Sequence, residues 1–108
     1  YTTDHGEMHG SHGLLGKCNL YEGAIAVPLL MAGPGIPEGI VVDGITSHVD
    51  LFPTLVESSG VAIDAVDASL PGQSLCPALE GETEHRVVFA EYHAAMSLHG
   101  SFMLREGN

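Results

Sequence analysis

YTTDHGEMHGSHGLLGK (residues 1–17) holds three of the seven histidines, two acids and one of only three basic residues in a 108-residue chain. Side chains able to bind cations or anions are concentrated there. The glycines break helical and strand periodicity alike, so the stretch reads as a structured loop. Tyr1, Thr2 and Thr3 form a short β-prone lead into the adjacent pair Asp4 and His5. In open α/β sheets, ligands bind beyond the carboxyl ends of strands. An Asp-His-Gly in that position offers one carboxylate oxygen, one imidazole nitrogen and a glycine that lets the backbone turn sharply. That makes two of the ligands a divalent cation needs. The tripeptide alone is a weak signal, and its weight depends on the rest of the chain.

Residues 26–108 have α/β grammar. Residues 26–32 (AVPLLMA) are continuously apolar, the pattern of a strand buried on both faces, with Pro28 near its start or at an unpaired position. GPGIPEG (33–39) ends that strand, and IVVDG (40–44) is a short extended piece. In SHVDLFPTLVESSG (47–60), Asp50 caps a helix with apolar positions Leu51, Phe52, Leu55 and Val56; Pro53 lies in its first turn and Gly60 ends it. SLCPALEG (74–81) repeats the pattern with Ser74, Pro77 and Gly81. Between these helices, residues 61–73 are acidic and turn-rich, a surface loop. A helical turn is expected near Tyr21. RVVFAEYHA (86–94) and SFMLREGN (101–108) read as extended, with a loop at residues 96–100 and the start of a tight turn at the end.

Three Lys plus Arg against fourteen Asp plus Glu give a formal charge of −11, which disfavours nucleic acid and anionic membranes as partners. A small anion held by a metal and a local lysine stays compatible with that balance, because a bound cation dominates the field around it. No apolar run approaches the ~18 residues of a membrane span. The two cysteines, Cys18 and Cys76, are too few for a disulfide framework and read as ordinary buried thiols.

Taken in order, TTDHGEMHGSHGLLGK, YEGAIAVPLLMAGPGI, SHVDLFPTLVESSGV, GQSLCPAL and FAEYH resemble the C-terminal half of the sulfatase family, within the alkaline-phosphatase superfamily. The resemblance runs from Tyr1 to Asn108. It implies an α/β fold with a central sheet flanked by helices, residues 1–108 being the C-terminal part of a catalytic domain and residues 86–108 the start of a small C-terminal antiparallel sheet. It implies that Asp4 and His5 are metal ligands and that Lys17, twelve residues beyond His5, contacts the sulfate and stabilises charge on its oxygens. It also implies a divalent metal, Ca2+ first, with Mn2+ or Mg2+ as alternatives; the imidazole in place of an amide leans slightly toward a transition metal. Chemistry agrees, because sulfuryl or phosphoryl transfer needs positioned cations and donors more than covalent help.

The family's nucleophile, a formylglycine made within a C/S-x-P-x-R motif, has no counterpart: Cys76 precedes PALEG and Cys18 precedes NLYEG. The formylglycine, further metal-binding acids and a histidine that assists the leaving group are therefore expected upstream. The segment is expected to need the rest of its own polypeptide, or association with other copies, for stability, and to be inactive alone. Among the other histidines, His9 and His12 read as polar loop residues, while His48 and His85 read as structural or solvated. His93, at a strand end, is a candidate substrate contact, ahead of His99. The substrate expected is a small anionic sulfate ester, with a phosphonate or phosphate ester as the alternative. A non-catalytic metal-binding or structural module is the reading from another class.

Overall fold

The computed structural model describes residues 1–82, 85–94 and 98–107. The described chain is a small α/β structure: α1 (Glu22–Ile25), α2 (Leu51–Ser58), α3 (Cys76–Leu79), β1 (Val87–Tyr92) and β2 (Ser101–Glu106). Single 3-10 turns lie at Ser11–Gly13, His48–Asp50 and Asp67–Ser69. β1 and β2 pair as a two-stranded antiparallel sheet. Val88 is buried on one face of it, while Val87, Phe89, Phe102 and Leu104 are exposed and the Phe89 and Phe102 rings stack. Residues 96 and 97 of the expected loop, and Asn108 of the expected final turn, lie outside the described residues.

Residues 1–31 and 89–104 form one compact unit, and residues 32–88 with 105–108 form another. In the first, the helical turn expected near Tyr21 is α1. The apolar run that follows α1 is a correction. Residues 26–32 belong to no strand, and they alternate between exposed and half-buried instead of being enclosed. A strand buried on both faces needs hydrogen-bonded neighbours along its edges and a packed layer over each face. Among the described residues, the run's cross-chain backbone bonds are those of Leu30, whose N–H donates to the Tyr1 carbonyl at 2.9 Å and whose carbonyl accepts from the Tyr1 amino group at 2.6 Å. The buried apolar residues of this unit are Met8 and Ala24.

The second unit is organised around Asp50. Asp50 stands at the N-cap of α2, as the sequence suggests, but makes no side-chain capping bond there; the capping box belongs to the preceding turn and starts three residues earlier. Ser47 is the cap of the 3-10 turn that leads into α2, and Asp50 stands at its third position, accepting the Ser47 N–H at 2.7 Å. The same carboxylate is wholly buried and accepts the Gln73 N–H at 3.0 Å and two guanidinium N–H groups of Arg86 at 2.9 and 3.0 Å. Gly72 makes the Gln73 contact possible, because a Cβ there would lie 2.2 Å from the Val49 carbonyl oxygen.

The buried face of α2 differs from the expected apolar one. Pro53 and Thr54 are buried, whereas Phe52 and Leu55 are exposed. Thr54 is fixed by hydrogen bonds: its hydroxyl donates to the Asp50 carbonyl at 2.6 Å and accepts the Leu75 N–H at 2.9 Å, which ties α2 to the entry of α3. Both helices end as the sequence indicates. Gly60 (φ 73) and Gly81 (φ 90) adopt left-handed conformations. After each, the next N–H reaches back to close the last turn, Val61 to Val56 and Glu82 to Pro77. Residues 61–73 are an exposed loop, as expected, with one 3-10 turn.

Candidate functional site

The first unit carries the histidine-rich stretch, and its geometry begins with Gly6. Gly6 is not among the glycines with positive φ, and its need to be glycine comes from a close approach. Its N–H donates to the Ala24 carbonyl at 2.8 Å, and a Cβ on it would lie 2.1 Å from the Gly23 carbonyl oxygen. Any side chain would push α1 away from the segment that carries Asp4 and His5. The glycine in Asp-His-Gly is therefore required by close backbone approach.

His5 is oriented by its own neighbour. Nδ1 lies 2.8 Å from the Gly6 carbonyl oxygen, which has no proton to give, so in the neutral ring Nδ1 carries the hydrogen and Nε2 keeps a free lone pair. That lone pair faces two groups. The Asp4 carboxylate oxygen Oδ2 is 3.4 Å from Nε2, and Lys17 Nζ is hydrogen-bonded to it. Asp4 accepts from the Thr3 hydroxyl at 3.2 Å and the His5 N–H at 3.1 Å, both on Oδ1, which leaves Oδ2 turned toward the imidazole. Lost hydration works to raise the Asp4 pKa. The Thr3 hydrogen bond, the His5 charge and the backbone amides of Asp4 and His5 outweigh it, so the carboxyl is held below its ordinary value. Asp4 is 82% exposed and His5 37% exposed at the side chain, so the pair is reachable from solvent.

Lys17 comes to His5 by a loop closed at its base. The Met8 N–H donates to the Gly16 carbonyl at 3.0 Å, and the Gly10 N–H to the Leu14 carbonyl at 2.9 Å. The Glu7 carboxylate accepts the Gly16 N–H at 2.5 Å and the His9 N–H at 3.5 Å, and the Gly16 bond is the main reason its pKa is lowered. His9 (φ 48) and His12 (φ 56) have left-handed backbones, which few non-glycine residues adopt. The His12 ring stacks on Tyr21 at 4.4 Å. The expectation that these two are polar loop residues thus gains a specific content: they shape the turn between the Asp4–His5 pair and Lys17.

His93 is engaged within its own hairpin. Nε2 lies 3.1 Å from Glu91 Oε2, and the ring meets Phe102 edge-on at 5.0 Å, over Gly100. His85 pairs with Glu106 at 3.1 Å and is exposed. The reading of both cysteines as buried is corrected: Cys18 is exposed and Cys76 half-buried. Cys18 follows Lys17 on the loop surface, where its thiol meets the Tyr92 hydroxyl; that hydrogen bond, with burial and the Cys18 charge, pushes the Tyr92 pKa up.

As a donor set, Asp4 and His5 fit one divalent cation, since donor atoms 3.4 Å apart can be spanned by bonds of about 2.0–2.5 Å. The set is partial: no group of three or more His, Cys, Asp or Glu able to hold a metal exists among the described residues. What sequence reasoning missed is the Asp50–Arg86 pair. Its only signal in the sequence is an aspartate beside an apolar helix start and one of three basic residues far along the chain.

The family model for sulfatase matches residues 1–61. The chain belongs to the sulfatase family. A choline-sulfatase of Rhizobium meliloti (strain 1021) is 38% identical over 107 residues, covering 99% of this chain and 21% of that protein. Arylsulfatase K of Homo sapiens is 36% identical over 115 residues, covering 97% of this chain and 21% of that protein. Arylsulfatase K of Mus musculus is 34% identical over 116 residues, covering 99% and 20%. The sulfatase segment thus spans about one fifth of the length of these relatives.

Proposed function

We propose that the chain is the C-terminal part of the catalytic domain of a metal-dependent sulfuric ester hydrolase, inactive without the remainder of its polypeptide. One observation carries the reading. In a chain of the sulfatase family, a carboxylate, an imidazole with a free lone pair and the ammonium group of the chain's single lysine converge on one exposed point.

Asp4 and His5 would hold the metal, Ca2+ first and Mn2+ or Mg2+ as alternatives. A bound divalent cation supplies positive charge against the ester oxygens and lowers the pKa of a hydroxyl nucleophile. The residues of this chain do the rest of the local work. The Gly6 carbonyl holds the His5 tautomer that leaves Nε2 without a hydrogen. Lys17 directs its ammonium at the same point, where it would hydrogen-bond a non-bridging sulfuryl oxygen and oppose the negative charge that spreads there during transfer. To serve an anion, Lys17 must release His5 Nε2, a rotation of a flexible side chain with no backbone change. Near the strand end, His93 would contact the organic part of the substrate.

The same reading assigns the formylglycine, the other metal ligands and most of the central sheet to the remaining polypeptide. Residues 86–108 would begin a C-terminal antiparallel subdomain. The partners are a small anionic ester and the rest of the chain's own polypeptide.

The test is release of nitrophenol from its sulfate ester and from a phosphonate ester by the full-length polypeptide, with Asp4→Ala and Lys17→Ala alongside. Loss of about 10²–10³-fold in sulfate turnover for Lys17→Ala is the scale expected for one charge-stabilising donor. Turnover of the phosphonate alone moves the protein to a sister chemistry. Sulfate turnover unaffected by either substitution removes Asp4 and Lys17 from the site.

A further inference from the structure

We propose that Glu7 is a positioning residue for Lys17, acting through Gly16. This rests on the proposed role of Lys17, but the geometry behind it is independent of that role. Eleven residues separate His5 from Lys17, and ten of them, 7–16, form a loop with Glu7 and Gly16 as its two ends. The Glu7 carboxylate accepts the Gly16 N–H at 2.5 Å while the Met8 N–H donates to the Gly16 carbonyl at 3.0 Å. Both polar groups on either side of the Gly16 Cα are thereby clamped to residues 7 and 8.

Gly16 has φ 80, so the clamp fixes a left-handed conformation from which the chain departs in one direction. Lys17 is the next residue. On its far side, the Asn19 N–H donates to the Lys17 carbonyl at 2.8 Å, and the Asn19 side chain accepts the Tyr21 N–H at 2.9 Å, which anchors that flank to the start of α1. The Lys17 backbone is therefore held between two fixed points, and the amine reaches His5 from there. Of the two, only the Glu7 clamp depends on a side chain that bridges the whole loop. Without it, Gly16 keeps one hydrogen bond and regains the backbone freedom of a glycine. The Lys17 ammonium then spreads over many positions instead of one.

Displacement of a charge-stabilising group by about 1 Å can cost about 100-fold in rate. Placement, unlike general stability, leaves a mark on Lys17 itself. The experiment uses the full-length polypeptide with Glu7→Ala, Glu7→Gln and Glu7→Asp. Limiting acetic anhydride at one fixed pH labels amines, and mass spectrometry gives the acetylation rate of Lys17 relative to the other lysines of the polypeptide. Nitrophenyl sulfate turnover is measured in parallel.

For Glu7→Ala, Lys17 is expected to label about 5- to 10-fold faster with the other lysines changing less than about twofold. kcat is expected to fall about 10- to 100-fold with a much smaller change in KM, as for an interaction made in the transition state. Glu7→Gln retains an oxygen acceptor for the Gly16 N–H and is expected to recover most of both effects; Glu7→Asp, one methylene shorter, falls between. If Glu7→Ala does not fold, the Gln and Asp variants are read against each other in the same way.

A Glu7→Ala protein of lowered melting temperature with unaltered Lys17 labelling overturns the proposal, since Glu7 would then be structural only. Glu7→Gln as disruptive as Glu7→Ala overturns it too, because the charge and not the Gly16 hydrogen bond would be at work. Should Lys17→Ala leave turnover intact, the role given to Lys17 fails, while the labelling ratio still decides whether Glu7 places it.

Discussion

Two aspartates, each with a histidine close by in sequence, sit in opposite environments. Asp50 is wholly buried, and its two oxygens accept from Ser47, Gln73 and two nitrogens of Arg86. Asp4 is 82% exposed, with its two hydrogen-bond donors on Oδ1 and its other oxygen turned to His5 Nε2. A carboxylate whose lone pairs are all spent inside the fold has nothing left for a ligand. One that keeps an oxygen directed outward beside an imidazole lone pair does. The contrast separates the aspartate that holds the second unit together from the aspartate proposed as a metal ligand.

The strongest way to break this comparison is Arg86→Ala. It leaves the Asp50 carboxylate buried with two backbone N–H groups and no counter-charge, and removal of one partner from a buried ion pair costs about 3–5 kcal/mol. Urea unfolding of the full-length polypeptide is expected to show a loss of that size. A loss under about 1 kcal/mol would mean that Asp50 sits in an environment as open as that of Asp4, as exposed pairs of that worth do. Next in size is Thr54→Val, close in shape but without the hydroxyl. It strips the Leu75 N–H of its acceptor in a buried position, and a buried group left unsatisfied costs about 1–3 kcal/mol. A neutral result would mean that the α2–α3 junction is held by packing alone.

The sequence displayed its punctuation well. The endings of α2 and α3 at Gly60 and Gly81 followed from the helix pattern, because a left-handed residue after a helix is a local requirement. The two strands of the hairpin were equally readable from their β-prone runs. Residues 26–32 were not, since continuous apolarity says that a segment seeks cover but not which neighbours pair with it. Gly6 and Gly72 show a similar limit from the other side. Their necessity lies in a carbonyl 17 or 23 residues away in sequence, so it becomes visible only when the backbones meet. The Asp4, His5 and Lys17 cluster was expected from the family resemblance. The Glu7–Gly16 clamp that leads to Lys17 was not, because nothing in the spacing of a glutamate and a glycine marks them as partners.

The smallest expected effect on stability sharpens the comparison most. Asp4→Asn keeps the size of the side chain and an acceptor for the Thr3 hydroxyl and the His5 N–H, and removes only the charge. At so exposed a position, the change is expected to leave the urea unfolding midpoint in metal-free buffer nearly unchanged. Binding a cation to the folded state raises apparent stability by mass action, about 2.7 kcal/mol at a hundredfold excess over Kd. Calcium added to the full-length polypeptide should therefore raise the melting temperature of the unsubstituted protein, and raise that of Asp4→Asn much less, because the amide lacks the charge that holds a hard cation. Equal calcium responses would remove Asp4 from the metal site, whatever its effect on turnover. A large loss of stability without calcium would instead make Asp4 a second structural carboxylate like Asp50.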